Sequence, residues 1–356
     1  MCCAKLSRMT PPLALQPTEP LSVVHSMLSG AAIARAVEAG YELGAVAHCQ
    51  LLRRGFNDVY GLTLADGRRC VARLSALRIR GAPNAAYEAA LLAHAKRAGA
   101  HVAASWPARD GAVGVTLPTA EGQRLLMVFD HLDGDLPGDN LRDLEATGAG
   151  LARFHDAARG YSGPPSRFVL ELPHLLHQPL GWLLALDVID DTLRSELTAV
   201  AARLAGRIEA MPGLSRVACH GDCHGGNNFM TEGPGGERIA SFFDFDDAGP
   251  GYLAYELATF LWTLLTRAPA GLDAPLQARW AHFIAGYRSV RPIPPADFAA
   301  VIDFVGVRQF WFMGEFAGRV PEWGTQALPA AWLRKQSEVM TQWEALATPV
   351  AGPCGE

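Results

Sequence analysis

Residues 217–229 read Val-Ala-Cys-His-Gly-Asp-Cys-His-Gly-Gly-Asn-Asn-Phe, a polar stretch that lies between two apolar segments. Asp222 and Asn227 stand five residues apart within it, and three glycines accompany them. Because glycine readily adopts backbone conformations that other residues avoid, the stretch predicts a loop rather than a regular helix. The carboxylate of Asp222 and the amide of Asn227 are therefore expected on a loop that a folded core holds in place.

A hairpin is predicted directly after this loop. The turn-rich residues 231–237 separate two apolar runs, 229–230 and 239–243, and the second run ends at Asp244. Two apolar runs around a turn are typical of paired antiparallel strands. The returning strand should therefore bring Asp244 back beside Asn227.

These residue types suit phosphoryl transfer. The reaction needs a carboxylate that orients the attacking hydroxyl, and it needs oxygen ligands that hold Mg2+ against the phosphates of ATP. Asp222 can fill the first role, and Asn227 can share the second with Asp244. Asp and Asn are common in any loop, so the prediction rests on the combination and not on one residue.

The pattern His-Gly-Asp-x-His-x-x-Asn at 220–227, the hairpin, and the run Phe-Phe-Asp-Phe-Asp-Asp at 242–247 occur together. In this combination they resemble the catalytic and metal loops of the aminoglycoside phosphotransferase and choline kinase-like superfamily, which shares the protein-kinase fold. The chain resembles most the bacterial branch that contains stress response kinase A and homoserine-kinase-like enzymes. The resemblance spans roughly residues 50–345.

The resemblance implies a role for each residue of the motif. Asp222 would be the catalytic Asp, and Asn227 and Asp244 would bind Mg2+. His220 would brace the loop rather than act as a base. Glu256 falls where the superfamily often places an acid that supports the catalytic loop, although the commoner acid there is Asp.

The N-terminal part contains candidates for nucleotide binding. Residues 54–60, Arg-Gly-Phe-Asn-Asp-Val-Tyr, resemble the phosphate-covering turn of the family, with Asn57 inside it and a single glycine. Residues 128–132 resemble the hinge between two lobes, where backbone groups near Phe129 and His131 would meet adenine.

The phosphates also need a cation that an acid holds in place. The expected position is the predicted strand 70–74, and the basic residue there is Arg73, since no lysine lies between Lys5 and Lys96. Arginine keeps the charge of the usual lysine but has a different, forked geometry. Glu88, on the following helix, is its predicted partner, unless it is simply an exposed helical Glu.

The order of predicted elements indicates the α+β class, in a bilobal protein-kinase-like fold with a small antiparallel-sheet N-lobe, one main helix and a larger helical C-lobe. The N-lobe strands are predicted at 59–64, 70–74, 113–117 and 125–129, with a helix at 84–98 that Asn84 caps. Helices are predicted in the C-lobe at 141–157, 182–211, 252–268, 276–288, 295–316 and 331–347. The predicted boundaries are a flexible tail at 1–20, an N-lobe at 21–129, a hinge at 130–134, a C-lobe at 135–348 and a tail at 349–356.

Composition and charge limit the classes of protein to which the chain can belong. The chain has 356 residues, 49% of them hydrophobic and 19% charged, as is ordinary for a globular protein. A net charge of −5 argues against a nucleic-acid partner, and no apolar stretch reaches the length of a membrane span. Seven cysteines, an odd number, together with the lack of a secretory signal predict a reducing cytoplasm. The sequence gives no indication of oligomeric state.

Two other kinds of site compete for the central motif. A zinc site is one alternative, because five residues of the motif are competent donors, namely Cys219, His220, Asp222, Cys223 and His224. The paired C-x-x-C spacing is absent, and a nucleophilic Cys223 would lack a second base and an oxyanion site. A pseudokinase that binds nucleotide without turnover is the remaining rival, because of Arg73 and the single-glycine turn.

The acceptor is the least determined part of the prediction. Asp246 and Asp247 follow the predicted metal ligand and would suit a cationic acceptor such as an amino alcohol, an aminoglycoside or homoserine, unless they only cap the next helix. The resemblance to stress response kinase A leaves Ser and Thr side chains of proteins as an alternative acceptor.

Overall fold

The structure is a computed structural model that describes residues 21–350. The predicted tail 1–20 and most of the predicted tail 349–356 lie outside the described residues. None of the helices in the described part is long and apolar enough to cross a membrane.

An antiparallel sheet forms the N-terminal lobe. Its strands are β1 (Val46–Arg54), β2 (Asp58–Leu64), β3 (Arg69–Leu74), β4 (Ser105–Trp106), β5 (Val115–Thr119) and β6 (Gly122–Asp130). They run in the order β1-β2-β3-β6-β4, and β5 also pairs with β6. Helix α1 (Gly30–Gly40) packs on one face of the sheet, and α2 (Ala85–Arg97) follows β3 in the chain.

The two faces of β3 serve different purposes. Cys70, Ala72 and Leu74 are buried with β2 and α1 in the core of this lobe. Because side chains alternate along a strand, Arg73 lies on the other face. Its partner across the sheet, Met127, belongs to the core that the two lobes share. Strand β3 therefore places the guanidinium of Arg73 in the cleft between the two lobes.

Helices dominate the C-terminal lobe. They are α3 (Leu141–Ala157), α4 (Gln178–Leu184), α5 (Asp191–Glu209), α6 (Leu253–Leu265), α7 (Ala274–Val290), α8 (Pro295–Ala317), α9 (Val320–Trp323) and α10 (Ala330–Trp343). Two antiparallel strand pairs lie among them: β7 (Arg216–Cys219) with β10 (Gly249–Tyr252), and β8 (Asn228–Glu232) with β9 (Arg238–Phe242). The predicted α+β, bilobal class, with its small sheet lobe and larger helical lobe, is confirmed.

Several predicted elements were wrong in detail. Residues 21–50 show a weak helical pattern in the sequence, but they contain both α1 and the first part of β1, an edge strand whose residues are mostly exposed and show no alternation. The single helix predicted at 182–211 is broken, and Asp190 caps α5 by accepting a hydrogen bond from the Leu193 amide at 2.9 Å. The short strands β4, β7 and β10 were not predicted.

Asn84 precedes α2, as predicted, but its side chain does not cap the helix. Its Nδ2 donates to the carbonyl oxygen of Ala248 at 3.0 Å and to Ser166 Oγ at 2.7 Å. Its Oδ1 accepts from the amide of Arg167 at 3.0 Å. Asn84 therefore ties the start of α2 to the C-terminal lobe.

Helices α3 and α7 cross so closely that glycine is required at the contact. A Cβ on Gly286 would collide with the carbonyl oxygen of Glu145. We expect Gly286→Ala to lower the free energy of unfolding by about 1–3 kcal/mol, because the helices would have to separate.

Gly206→Ala in α5 is the matched control, because a Cβ there meets no atom within 4 Å. Its expected effect is a gain of roughly 0.5–1 kcal/mol from helix propensity. Equilibrium unfolding in urea measures both variants. Equal midpoints for Gly286→Ala and the wild type would contradict the requirement for close packing.

Candidate active site

The loop at 220–227 joins β7 to β8, and pairing of β8 with β9 returns the chain beside it. The amide of Phe243 donates to the carbonyl oxygen of Asn227 at 3.0 Å, so the next residue, Asp244, lies near Asn227. Asp244 has φ of 63°, a left-handed conformation that no other non-glycine residue among those described adopts. Such a conformation costs free energy, so the surrounding contacts must impose it.

Asp222 is held at both carboxylate oxygens. Asn227 Nδ2 donates to Asp222 Oδ2 at 3.0 Å, and Arg308 Nη2 donates to Oδ1. His224 Nε2 lies 3.5 Å from Oδ2. Burial opposes ionisation of Asp222, but the charges of Arg308 and His224 outweigh burial and hold the pKa of this carboxyl well below its usual range.

His220 is buried, and both of its ring nitrogens are occupied. Nδ1 accepts from the amide of Asp222 at 3.3 Å, so Nε2 carries the proton and donates to the carbonyl oxygen of Phe243 at 3.0 Å. Burial lowers the pKa of His220 to about 4, which keeps the ring neutral. The ring therefore links the Asp222 loop to the strand that leads to Asp244.

Glu256, on α6, accepts hydrogen bonds from the amides of His220 and Gly221, each at 3.0 Å. Burial raises the pKa of Glu256 to about 7 against the opposing effect of these bonds. Gly221 has φ of 85°, and a Cβ there would collide with the carbonyl oxygen of Asp247. The glycine between His220 and Asp222 is thus required by backbone packing.

Arg73 and Glu88 form a bidentate ion pair in the cleft. Arg73 Nη1 and Nη2 donate to the two Glu88 oxygens at 2.8 and 2.5 Å, and both side chains are buried. Arg73 Nη1 also lies 3.6 Å from Asp244 Oδ1. A continuous set of contacts therefore runs from α2 to the Asp244 carboxylate, and Glu88 is not the exposed helical residue of the alternative interpretation.

The turn at 55–57 joins β1 to β2, and its side chains contact the C-terminal lobe. Phe56 packs against Phe316 and Trp323, with ring centroids 5.5 and 5.4 Å away. Asn57 Nδ2 donates to Asp246 Oδ2 at 3.1 Å, and its Oδ1 accepts from the Ala76 amide at 3.1 Å. In this structure the Asn57 side chain joins the lobes rather than pointing into an open phosphate site.

Asp246 and Asp247 do not present a free anionic surface. Arg78 Nη1 and Arg80 Nη2 donate to Asp246 Oδ2 at 2.6 and 3.0 Å, and Arg80 also binds Asp247. Glu315, on α8, completes the cluster by binding Arg78. Both carboxylates thus belong to the contact between the lobes. They do not cap the next helix either, because β10 intervenes before α6.

The arginines of this cluster and Arg308 are functional candidates that the motif did not predict. Arg78 and Arg80 lie in the loop between β3 and α2, where spacing carries no information about partners. Arg308 lies in an aromatic stretch of α8. The sequence feature that could have identified Arg308 is an arginine within an aromatic stretch, because a charge that is buried among such residues needs a partner.

The predicted hinge follows β6. Phe129 is buried, and the Arg73 guanidinium carbon lies 4.8 Å from its ring centre, so the ring supports Arg73. His131 lines a cavity of about 590 Å³ together with Leu132 and Cys70.

The donors near Asp222 suit a hard cation. The amide oxygen of Asn227 accepts no hydrogen bond from the described residues, and the Asp244 side chain is 42% exposed. An amide oxygen and a carboxylate are ligands that Mg2+ prefers. Between residues 21 and 350 no group of three or more His, Cys, Asp or Glu residues is arranged to hold a metal ion, and burial raises the pKa of the Cys219 and Cys223 thiols.

Comparison with known sequences gives the family. The profile of the phosphotransferase enzyme family (APH) matches residues 48–293. An uncharacterised protein of Deinococcus radiodurans is 36% identical, over 90% of this chain and 92% of its own length. A homoserine kinase of Cupriavidus pinatubonensis is 26% identical, over 76% and 81%. Stress response kinase A of Escherichia coli is 24% identical, over 67% and 73%.

Solved structures share the fold. A microcompartment-associated aminopropanol kinase superposes with a TM-score of 0.67 at 22% identity, over 88% of this chain and 95% of its own. The amicoumacin kinase hAmiN, in complex with AMP-PNP, Ca2+ and Ami, gives a TM-score of 0.70 at 19% identity, over 90% and 95%. The profile match over more than half of the chain shows that the chain belongs to the phosphotransferase enzyme family.

Proposed function

We propose that the protein transfers the γ-phosphoryl group of ATP to a hydroxyl of a small, amine-bearing acceptor, with Mg2+ as the divalent ion. The observation that carries the proposal is the continuous set of contacts from Glu88 through Arg73 to Asp244, which lies beside Asn227 and Asp222. Positioning and charge stabilisation are what this reaction needs most, because its transition state is loose.

Within this proposal Asp222 aligns the acceptor hydroxyl for in-line attack. Arg308 and His224 keep Asp222 ionised, so it can accept the hydroxyl proton, and a loose transition state depends on orientation more than on a strong base. Asn227 and Asp244 would hold Mg2+, which supplies charge neutralisation for the nucleotide phosphates. Arg73 adds a fixed positive charge from the opposite lobe.

Two kinds of evidence favour a small amine-bearing acceptor. Relatives and structural neighbours include kinases named for homoserine, aminopropanol and amicoumacin. In the chain itself, Trp262, Phe312 and Phe316 form a row of half-buried rings, with centroids 5.2 and 4.5 Å apart. Arg308 of the same helix α8 reaches Asp222, so this row lies close to the site of transfer. Aromatic faces attract ammonium groups.

A Ser/Thr protein kinase of the stress response kinase A type is the second candidate, on the strength of that relative. A panel of homoserine, aminopropanol, aminoglycosides and a Ser/Thr-rich protein, followed by ADP release, separates the two. If only the Ser/Thr-rich protein were phosphorylated, and none of the small molecules, the proposal of a small acceptor would be rejected. Nucleotide binding without ADP release on any member would favour a pseudokinase.

We expect Asp222→Asn to lower kcat by about 10²- to 10⁴-fold, because the amide cannot accept the hydroxyl proton. The KM for ATP should stay close to the wild-type value. Steady-state kinetics with the best acceptor of the panel measures both constants.

Asp143→Asn is the matched control, since Asp143 binds Arg238 on the far side of the β8–β9 hairpin. Its kcat should equal that of the wild type. An Asp222→Asn enzyme that turned over as fast as wild type would contradict the assignment.

We expect Arg73→Met to abolish tight ATP binding and also to destabilise the protein by about 3–5 kcal/mol, because Glu88 would be left buried and uncompensated. The double variant Arg73→Met/Glu88→Met removes both charges. It should regain most of the stability but none of the ATP affinity.

Titration calorimetry with ATP and equilibrium unfolding distinguish the two effects. Recovery of ATP affinity in the double variant would show that Arg73 serves the fold and not the nucleotide.

We expect Phe56→Ala to raise the KM for ATP, because the turn over the phosphate region would lose its contact with α8 and α9. Trp323→Ala removes the other side of this contact, so the two effects should not add. Leu51→Ala, on exposed β1, is the control. Additive increases in the KM for ATP in the double variant Phe56→Ala/Trp323→Ala would mean that the contact between these two rings does not hold the turn.

A further inference from the structure

Arg308 is the buried cation that contacts the Asp222 loop most extensively. Its side chain is 3% exposed, and Nη2 donates to Asp222 Oδ1. Nη1 donates to the carbonyl oxygen of Gly221 and to the hydroxyl of Tyr255, each at 3.3 Å. The guanidinium carbon lies 4.3 Å from the ring centre of Trp311. One side chain thus joins α8, α6 and the loop.

Packing alone does not account for an arginine at this position. Val305, Val307 and Trp311 beside it on α8 are buried and apolar, and an apolar side chain would fill the same space without the cost of removing a charge from water. Arg308 Nε has no hydrogen-bond partner in the described part of the chain. The benefit must therefore lie in the contacts that Nη1 and Nη2 make.

Those contacts anchor Asp222 Oδ1, whereas Asn227 and His224 both lie at Oδ2. The terminal torsion of an aspartate is broad, so a single hydrogen bond leaves the plane of its carboxylate free to rotate. Asn227 holds Oδ2 and Arg308 holds Oδ1, and two anchors at opposite oxygens define the plane. A carboxylate has about four acceptor positions, so sites remain on Asp222 for an incoming hydroxyl.

We propose that Arg308 is a positioning residue that fixes the carboxylate plane of Asp222 toward the acceptor hydroxyl. The proposal rests on the proposed function, since it assigns Arg308 a part in the same transfer. In this role Arg308 acts through Asp222 rather than by binding nucleotide or acceptor, so its loss should affect kcat and leave binding largely unchanged.

The experiment compares Arg308→Met and Arg308→Lys with the wild type, using ADP release with homoserine and aminopropanol as probes. Misplacement of a reacting group by about 1 Å can cost 10²-fold, so Arg308→Met should lose kcat on that scale while the KM for ATP changes little. Arg308→Lys should recover part of the loss, because one ammonium can reach Oδ1 but cannot also bind Gly221.

Arg207→Met is the matched control. Arg207 Nε binds Asp303 Oδ1 at 2.6 Å, so this variant also removes an arginine–carboxylate pair that anchors α8, but far from the loop. It should keep the wild-type kcat. An equal loss of kcat in Arg207→Met and Arg308→Met would overturn the proposal, because α8 packing would then explain both.

A crystal structure of Arg308→Met, which removes the anchor at Oδ1, gives a readout that needs no acceptor. Rotation of the Asp222 carboxylate relative to the wild type supports the proposal, and an unchanged plane overturns it. Wild-type kcat in Arg308→Met would overturn it as well. Failure of the proposed function is distinct, since the wild type itself would then release no ADP with any acceptor.

Discussion

Arginine side chains neutralise the buried carboxylates where the two lobes meet, and the rest of the cleft depends on this pairing. Asp222, Asp246 and Glu88 are each bound by at least one guanidinium. An unpaired carboxylate in such a place would take up a proton rather than remain charged. Asp244, whose side chain is 42% exposed, shows a milder form of the effect, because partial burial and its acidic neighbours raise its pKa to about 6 despite Arg73. A cation bound at Asp244 would neutralise the negative charge that Arg73 does not balance.

The same pairing sets the geometry between the lobes. The loop between β3 and α2 supplies Arg78 and Arg80, the β9–β10 segment supplies Asp246 and Asp247, and α8 supplies Glu315. Phe56 adds an apolar contact beside them, 4.7 Å from the Arg78 guanidinium. The lobes are thus joined by a charged cluster in addition to the hinge. Movement of one lobe against the other would have to break several charge-assisted hydrogen bonds, each worth more than a neutral one.

The central motif could be predicted because the residues that form it lie close together in the chain. The glycines, His220, Asp222 and Asn227 lie within eight residues, and the hairpin that returns Asp244 has short connections. The helical C-lobe was also predictable from long amphipathic stretches. In contrast, β1 is an edge strand with little burial, so it lacks the alternation that marks a strand. The partners of Arg78 and Arg80 lie about 165–240 residues away along the chain, and no local pattern encodes such distances. The sequence therefore suggested an acceptor role or a helix cap for Asp246 and Asp247, and it could not indicate their arginine partners.

The preference for arginine also bears on whether Arg73 is compatible with turnover. The chain contains three lysines, Lys5, Lys96 and Lys335, and the cleft uses arginine throughout. Each of these arginines contacts more than one group: Arg73 reaches Glu88 and Asp244, and Arg308 reaches Asp222 and Gly221. A lysine ammonium is a compact point charge and could not span such pairs with the same fixed geometry. Arginine at position 73 is thus consistent with the architecture of the whole cleft. It does not by itself indicate a protein that has lost its activity.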